Sequence, residues 1–328
     1  MNFHKDVLVL DAAAETDRIV TGLRHAVRSV MRRHGGVVGI SGGIDSALVL
    51  ALGVRAFGPD KITALMLPEK DSDPLSERLA RELAAKFGVQ PIREDIAPAL
   101  EGYGCYRRRD EAIKRVFPQY DAKLGYKAKI VLPQNLLDSD AMNFFSVTIV
   151  APDGTEMTKP LPAPEYLQIV AASNLKQRTR MSMLYYHAEL RNYAVLGTAN
   201  KNEHDQGFFV KYGDSGVDIQ TIGHLYKTQV YQLARHLGVP ESILQRTPTT
   251  DTYSAPCTQE EFFFRIPFKT MDLLWYALEH GVPAAEAAPV MGLTETQVQR
   301  AYTDIGRKQR ATEPLRMRPV DLVAAAKV

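Results

Sequence analysis

Val37-Val38-Gly39-Ile40-Ser41-Gly42-Gly43-Ile44-Asp45-Ser46 is the stretch on which the reading of the fold turns. Its first four residues are a short apolar run of the kind that makes a buried strand, and residues 47–57 read as a helix. Ser41 to Ser46 therefore join a strand to a helix, which is where an anion is best held. Glycines let the backbone approach closely, and the free amides at a helix start point at the negative charge. The serine hydroxyls add donors, and the Asp45 carboxylate is a hard oxygen ligand suited to magnesium. The pattern lacks the Gly-Lys-Ser/Thr ending of a Walker loop and is not the dinucleotide Gly-x-Gly-x-x-Gly. A tight turn with no ligand is the bland alternative. Glycine pairs are common in such turns, but Ser-Gly-Gly-x-Asp-Ser between a strand and a helix is much rarer.

Upstream of the loop, Ile19, Val20, Leu23, Val27, Val30 and Met31 recur at helical spacing, and Gly35-Gly36 stop that helix. Downstream, 62–67 reads as a second strand ended by Pro68, and Leu75, Leu79 and Leu83 mark a helix closed by Gly88. A third strand is expected over 92–96. Strand–helix alternation of this kind predicts an α/β fold, a parallel twisted sheet flanked by helices with right-handed crossovers. Residues 103–165 break the rhythm. They open with Arg107-Arg108-Arg109, are polar and proline-rich, and contain a hairpin pattern at 144–150, Asp153-Gly154 and 155–158. We read them as an inserted accessory element outside the core sheet. The rhythm resumes with a long helix over 166–191, a strand over 194–196 and a helix over 225–237. From Phe268 onward the chain is helical. The expected organisation is a single domain over 1–328 with an insertion and a helical tail.

Composition narrows the class. The 328 residues are 45% hydrophobic and 24% charged, with a net charge of +2, which gives no sign of a nucleic-acid-coating or membrane-surface protein. No apolar run approaches the ~18 residues that suggest a membrane span. Two cysteines, Cys105 and Cys257, indicate neither a disulfide framework nor a zinc site, and a reducing cytoplasm is the expected compartment.

The 41–46 loop resembles that of the ATP pyrophosphatases, which split ATP between the α- and β-phosphates and adenylate a substrate. Five further segments, in order, resemble the NAD synthetases within that class. They are Asn174-Leu175-Lys176-Gln177-Arg178-Thr179-Arg180, the Gly197-Thr198 pair followed by Glu203, Phe208 to Asp218 (departing mainly at Val210, Ser215 and Val217), Leu225-Tyr226-Lys227-Thr228-Gln229, and Pro248-Thr249-Thr250-Asp251. The resemblance implies a Rossmann-like ATP pyrophosphatase fold and an ammonia-dependent amide ligase that converts deamido-NAD to NAD with release of AMP and pyrophosphate. It further implies that ATP is held by Ser41, Gly42, Gly43, Asp45, Ser46, Arg178, Thr198, Lys227 and Thr249. Magnesium would be held by Asp45, Glu203 and Thr249. Asn174, Phe208, Lys211, Asp214 and Asp218 would face the dinucleotide, and Asp45, Lys227 and Asp214 would be catalytic. Such a reaction needs a cation where charge builds on the transferred phosphate, and a proton acceptor for the attacking nitrogen. The resemblance also implies a homodimer.

Each residue has a plainer reading. An Asn-Lys-Arg-Arg helix face is usually solvated, 211–214 could be a simple turn, and Phe208 could be a packed aromatic. In Glu203-His204-Asp205 only Glu203 is taken as a ligand. The insertion does not align with the family, so amidation of a different carboxylate stays open. The Arg107–Arg109 cluster is read either as solvated surface or as a phosphate clamp. The phosphate loop is reached by Ser41, so an N-terminal glutaminase domain is not expected, and ammonia would come from solution or from a separate glutaminase. A non-catalytic nucleotide-binding protein is a further alternative. Helix patterns at 284–291 and 295–302, around Gly292, suggest a helix-turn-helix, but Arg300 is the only cation on its second helix that could reach a base.

Overall fold

The computed structural model describes residues 3–132, 136–138, 145–250 and 252–322. Phe144 and Asp251, part of the hairpin and threonine motifs read from sequence, lie outside them. The first helix, α1 (Ala12–Arg24), starts where the Asp11 carboxylate accepts from the N–H groups of Ala13 and Ala14, and a π-helical turn over His25–Val30 continues it. Then come β1 (Gly36–Gly39), α2 (Ile44–Phe57), β2 (Ile62–Met66), α3 (Pro74–Lys86) and β3 (Ile92–Arg93). The third strand is shorter than expected. The Asp95 carboxylate accepts the N–H of Ala97, and the chain turns at once into α4 (Ala97–Gly102), with Pro98 in its first turn.

Residues 103–165 hold more regular structure than the sequence suggested. They contain α5 (Cys105–Val116), then β4 (Lys127–Val131), β5 (Ser146–Val150) and β6 (Glu156–Pro160), which form an antiparallel sheet in the order β4-β5-β6. The expected hairpin is β5–β6, with Ile149 opposite Met157. The helix and β4 are additions. Next follow α6 (Ala163–Arg191), β7 (Ala194–Gly197), α7 (Lys201–Gln206), β8 (Ile219–Gln220), α8 (Lys227–His236) and α9 (Glu241–Leu244). The expected helix over 225–237 begins at Lys227, because the Gln229 side chain turns back to accept the N–H of Tyr226. The tail is α10 (Phe268–Glu279), α11 (Ala284–Met291), α12 (Glu295–Ala311) and α13 (Glu313–Arg316).

The central sheet runs β3-β2-β1-β7-β8, with every pair parallel. Both faces are covered, as a parallel sheet requires. Val38, Ala64 and Leu196 pack with α1, α2, α3 and α8, while Val37, Leu65 and Val195 pack toward α4, α5 and α6. The inserted sheet has its own apolar core, in which Val147 and Ile149 meet Ile169 of α6 and Tyr253. The tail closes around Trp275. Within it α12 spends Val298, Ala301 and Ile305 on that core, and the Arg300 guanidinium donates to the Leu137 carbonyl at 3.0 Å. Among the described residues no helix is long and apolar enough to cross a membrane.

Candidate active site

Strand order reverses between β1 and β7, and the carboxyl ends of these two strands open into a cleft of about 810 Å³. An open α/β sheet places its ligand at such a switch point. The wall includes Ser41, Gly43, Asp45 and Ser46 from the loop after β1, and Thr198 at the end of β7. Gly42 sits just behind them. Its φ is +71°, and an added Cβ would lie 2.6 Å from the Ser76 carbonyl oxygen, so only glycine lets the loop turn here. The Ser46 hydroxyl accepts the Ser41 N–H at 3.2 Å and donates to the Gly43 carbonyl at 3.0 Å, closing the loop on the start of α2. Arg246, itself on the cleft wall, braces it. Its guanidinium donates to the Gly42 carbonyl at 3.3 Å and to the Ser76 hydroxyl at 2.9 Å.

Beneath the loop lies a compact charged group. Lys227, fully buried at the first position of α8, brings its ammonium 2.5 Å from Asp45 Oδ2, and Asn200 donates to Asp45 Oδ1 at 2.9 Å. Asn200 also caps α7, with Glu203 returning the bond, so the Glu203 carboxylate is held at the same end of the cleft. Burial opposes the charge on Lys227, yet Asp45 and Glu203 hold its ammonium above the usual lysine range. Burial, and then the Asp45 carboxylate, push Glu203 well above the usual carboxylate range. One buried ammonium thus faces two carboxylates, one of them driven toward protonation by burial and then by the other. Two hard oxygen donors with the Thr249 hydroxyl on the same cleft suit a divalent cation. No group of three or more His, Cys, Asp or Glu able to hold a metal occurs among the described residues. Magnesium commonly completes its sphere with water and substrate phosphates, so the set still fits.

The opposite wall comes from α6 and the 207–217 segment. Asn174 and Arg178 of α6 line the cleft, as do Phe208, Lys211 and Asp214. Arg178 donates to the Lys211 carbonyl at 3.3 Å, and the Lys211 ammonium reaches the Pro314 carbonyl of the tail at 2.9 Å. Asp214 accepts the Val210 N–H at 2.7 Å, and burial raises its carboxyl to about 6. Phe208 lies among Phe262, Phe263 and Phe264, with centroids 4.9 Å apart for the stacked Phe263 ring. It is therefore a packed aromatic and a cleft residue at once. Of Glu203-His204-Asp205, only Glu203 lines the cleft. His204 and Asp205 bond to each other at 2.9 Å, and Asp205 also holds Lys201.

Asp218 stands apart from the other residues expected to face the dinucleotide. Its carboxylate accepts the Val195 N–H at 2.8 Å and the Tyr185 hydroxyl at 3.2 Å, and it is not part of the cleft wall. The clamp reading of the arginine cluster also fails for Arg109. This side chain is buried and paired with Asp71 and Asp110, while Arg107 pairs with Glu111 on the surface. Several residues had no role in the sequence reading. Arg246 is one, and its only local signal is its place two residues before the Pro-Thr-Thr segment. Asn202 and Asp272 form another layer. Asn202 accepts the Lys227 N–H at 3.1 Å and donates to Asp272, whose other oxygen accepts the Thr228 N–H at 2.7 Å.

The NAD synthase family profile matches residues 15–116 and 135–310. The chain is 52% identical over 314 residues to an NH(3)-dependent NAD(+) synthetase of Mesorhizobium japonicum, covering 96% of this chain and 98% of that one. It is 49% identical to the protein of the same description from Rhizobium meliloti, covering 97% and 94%. Among solved structures, an NH3-dependent NAD synthetase from Campylobacter jejuni superposes with a TM-score of 0.61 at 22% identity, covering 95% and 100%. An NMN synthetase from Francisella tularensis superposes with 0.59 at 22%, covering 95% and 99%. These two establish likeness of fold.

Proposed function

The chain belongs to the NAD synthase family, and from that premise we infer that its cleft makes NAD from deamido-NAD, ATP and ammonia. A nicotinate carboxylate oxygen attacks the α-phosphorus of ATP, the bond to the α–β bridging oxygen breaks, and pyrophosphate leaves. The lone pair of ammonia then attacks the acyl carbon. The bond to AMP breaks, AMP departs with one former carboxylate oxygen, and the nitrogen gives up a proton.

The observation that carries this reading is the buried Lys227 ammonium against Asp45, directly under a serine–glycine phosphate loop. Lys227 neutralises charge as it builds on the α-phosphate, where a preorganised cation is most effective. Ser41, Gly43 and Ser46 hold the departing pyrophosphate, with Gly42 giving the loop its shape. Arg178, Thr198 and Thr249 contact ATP. Asp45, Glu203 and Thr249 would hold magnesium, which would supply further charge neutralisation at the phosphates. Asn174, Phe208 and Lys211 face the dinucleotide. Asp214, with its carboxyl raised to about 6, accepts the proton released by the attacking nitrogen. Two further readings complete the proposal. Leu167, Tyr186 and Leu190 are more than half exposed along α6, the helix that also carries Asn174 and Arg178, which supports a homodimer built on this helix. The free, buried thiols Cys105 and Cys257 suit a cytoplasmic enzyme, supplied with ammonia from solution or by a separate glutaminase.

The test is mass-spectrometric product analysis with ATP, magnesium, ammonium and a panel of carboxylates. The panel includes deamido-NAD and, because an NMN synthetase shares the fold, nicotinate mononucleotide. NAD, AMP and pyrophosphate are expected. ADP with orthophosphate, or amidation of the mononucleotide in preference to the dinucleotide, would overturn the reading.

A further inference from the structure

Beside the cleft, away from the Lys227 group, four charged side chains are buried together. Lys176 of α6 is 1% exposed, and its ammonium donates to Glu69 Oε1 at 2.9 Å, to Asp71 Oδ2 at 2.7 Å and to the Thr252 carbonyl at 2.9 Å. Arg109 of α5 pairs with the same Asp71. The Tyr106 hydroxyl donates to Glu69 Oε2 at 2.9 Å, and the Tyr106 ring lies 5.8 Å from the Lys176 ammonium and 5.7 Å from the Arg109 guanidinium. Burial works to raise the Asp71 carboxyl, but Lys176 and Arg109 hold it below the usual carboxylate range, so this carboxyl is ionised.

Burying four charges is a poor way to gain stability, since well-packed apolar side chains do as well or better. What such a cluster does supply is fixed geometry. Lys176 has three donors, and they go to two different segments of the cleft wall. Glu69 and Asp71 belong to the loop after β2, which also gives Ser72 and Asp73 to the wall. Thr252 belongs to the 247–264 segment, which gives Thr249, Tyr253 and Phe262. The insertion holds that second segment from its other side. Ala128 of β4 donates to the Ser254 hydroxyl at 3.0 Å and accepts the Ala255 N–H at 3.1 Å. Strand β4 falls in the 117–134 gap of the family match, so this grip is additional to the family's common pattern.

We propose that Lys176 is a positioning residue for the amidation reaction. As hub of the Glu69–Asp71–Arg109 cluster, it locks the loop after β2 to the Thr249-bearing segment and so sets the affinity of the cleft for ATP. The insertion serves the reaction through Arg109 and β4, which hold that wall in place. This rests on the cleft being the site of NAD synthesis.

The test uses the full-length protein, with AMP formation followed as ATP is varied at saturating deamido-NAD and ammonium. Lys176→Met should raise KM for ATP at least tenfold while kcat falls less than threefold. Amide exchange in 248–259 should quicken at least tenfold. Lys176→Met combined with Glu69→Gln removes one charge of each sign and avoids a stranded carboxylate. It should melt near the wild type and keep the raised KM. Wild-type KM and exchange in either folded variant would overturn the proposal. So would full recovery of KM in the double variant, which would reduce the cluster to charge balance, or failure of both variants to fold, which would make it structural. Turnover by the wild type in the same assay separates this outcome from failure of the functional reading itself.

Discussion

Lys227 is fully buried beneath the 41–46 loop, and there it pairs with Asp45, whose carboxylate reaches the cleft. An interaction that acts mainly in the transition state costs about 2.7–4 kcal/mol when lost, or roughly a hundred- to a thousand-fold in rate. Lys227→Met and Asp45→Ala should therefore each lower single-turnover AMP formation by about that factor, with circular dichroism unchanged. Near-wild-type rates in both would remove the pair from the chemistry. Asp214 makes a prediction of the opposite sign for stability. Its carboxyl rises from 3.8 to about 6 on folding, so the folded state holds the proton more tightly. The stability linked to that proton is full below pH about 4 and is lost as pH rises through about 6. Asp214 is half-buried on the cleft, which reduces the effect to about 1–2 kcal/mol. Asp214→Asn should melt higher than the wild type at pH 7 and lose that advantage near pH 4, while NAD synthesis falls. A pH series of melting curves checks this, and equal curves at every pH would contradict it. At this scale the strand-to-helix turn at 41–46 was legible because its pattern is local. Lys176 and Asp272 were not, because their partners lie 107 and 70 residues away and no spacing rule joins them.

The elements that carry these residues were legible wherever period and breaker residues agreed. Strands β1, β2 and β7 and helices α3 and α6 fall close to where apolar runs and flanking glycine or proline place them. The third strand was over-read, because Asp95 and Pro98 start a helix that its apolar residues hide. The insertion was legible only as its β5–β6 hairpin. Helix α5 reads as a charged segment because its inward face is Cys105, Tyr106, Arg109, Ala112 and Ile113, two of them polar, and burial of Arg109 depends on Asp71. The two parts of the insertion should therefore respond differently to removal. Replacing 122–160 with a short linker should leave the central sheet folded but make the 248–264 segment protease-sensitive. Replacing 103–165 also strips α5 from α6 and should abolish cooperative unfolding. Cooperative melting of the larger deletion would show that α5 is dispensable. The tail contributes to the site as well. Asp272 of α10 accepts from Asn202 and Thr228 at the start of α8, and loss of such a buried cap costs about 1–2 kcal/mol. Asp272→Ala should lower the unfolding free energy by that amount and slow turnover, because Lys227 begins the same helix.

For the whole molecule, the proposal extends to the nitrogen donor and to the assembly. The protein should use ammonium and not glutamine, and at subsaturating ammonium the rate should climb with pH, since only neutral ammonia attacks. Comparable rates with ammonia-free glutamine, abolished by Cys105→Ser or Cys257→Ser, would reveal a glutaminase site. Light scattering should give a dimer, and Tyr186→Asp with Leu190→Asp should give a monomer of reduced activity. On the proposed route the substrate carboxylate is activated as an adenylate, and oxygen tracing follows that step atom by atom. Deamido-NAD labelled with ¹⁸O in the nicotinate carboxylate is incubated with ATP, magnesium and ammonium, and the products are weighed. Transfer of one labelled oxygen to the phosphate of AMP, with none in pyrophosphate, is the expected result. Unlabelled AMP, or label in orthophosphate accompanied by ADP, would contradict the account.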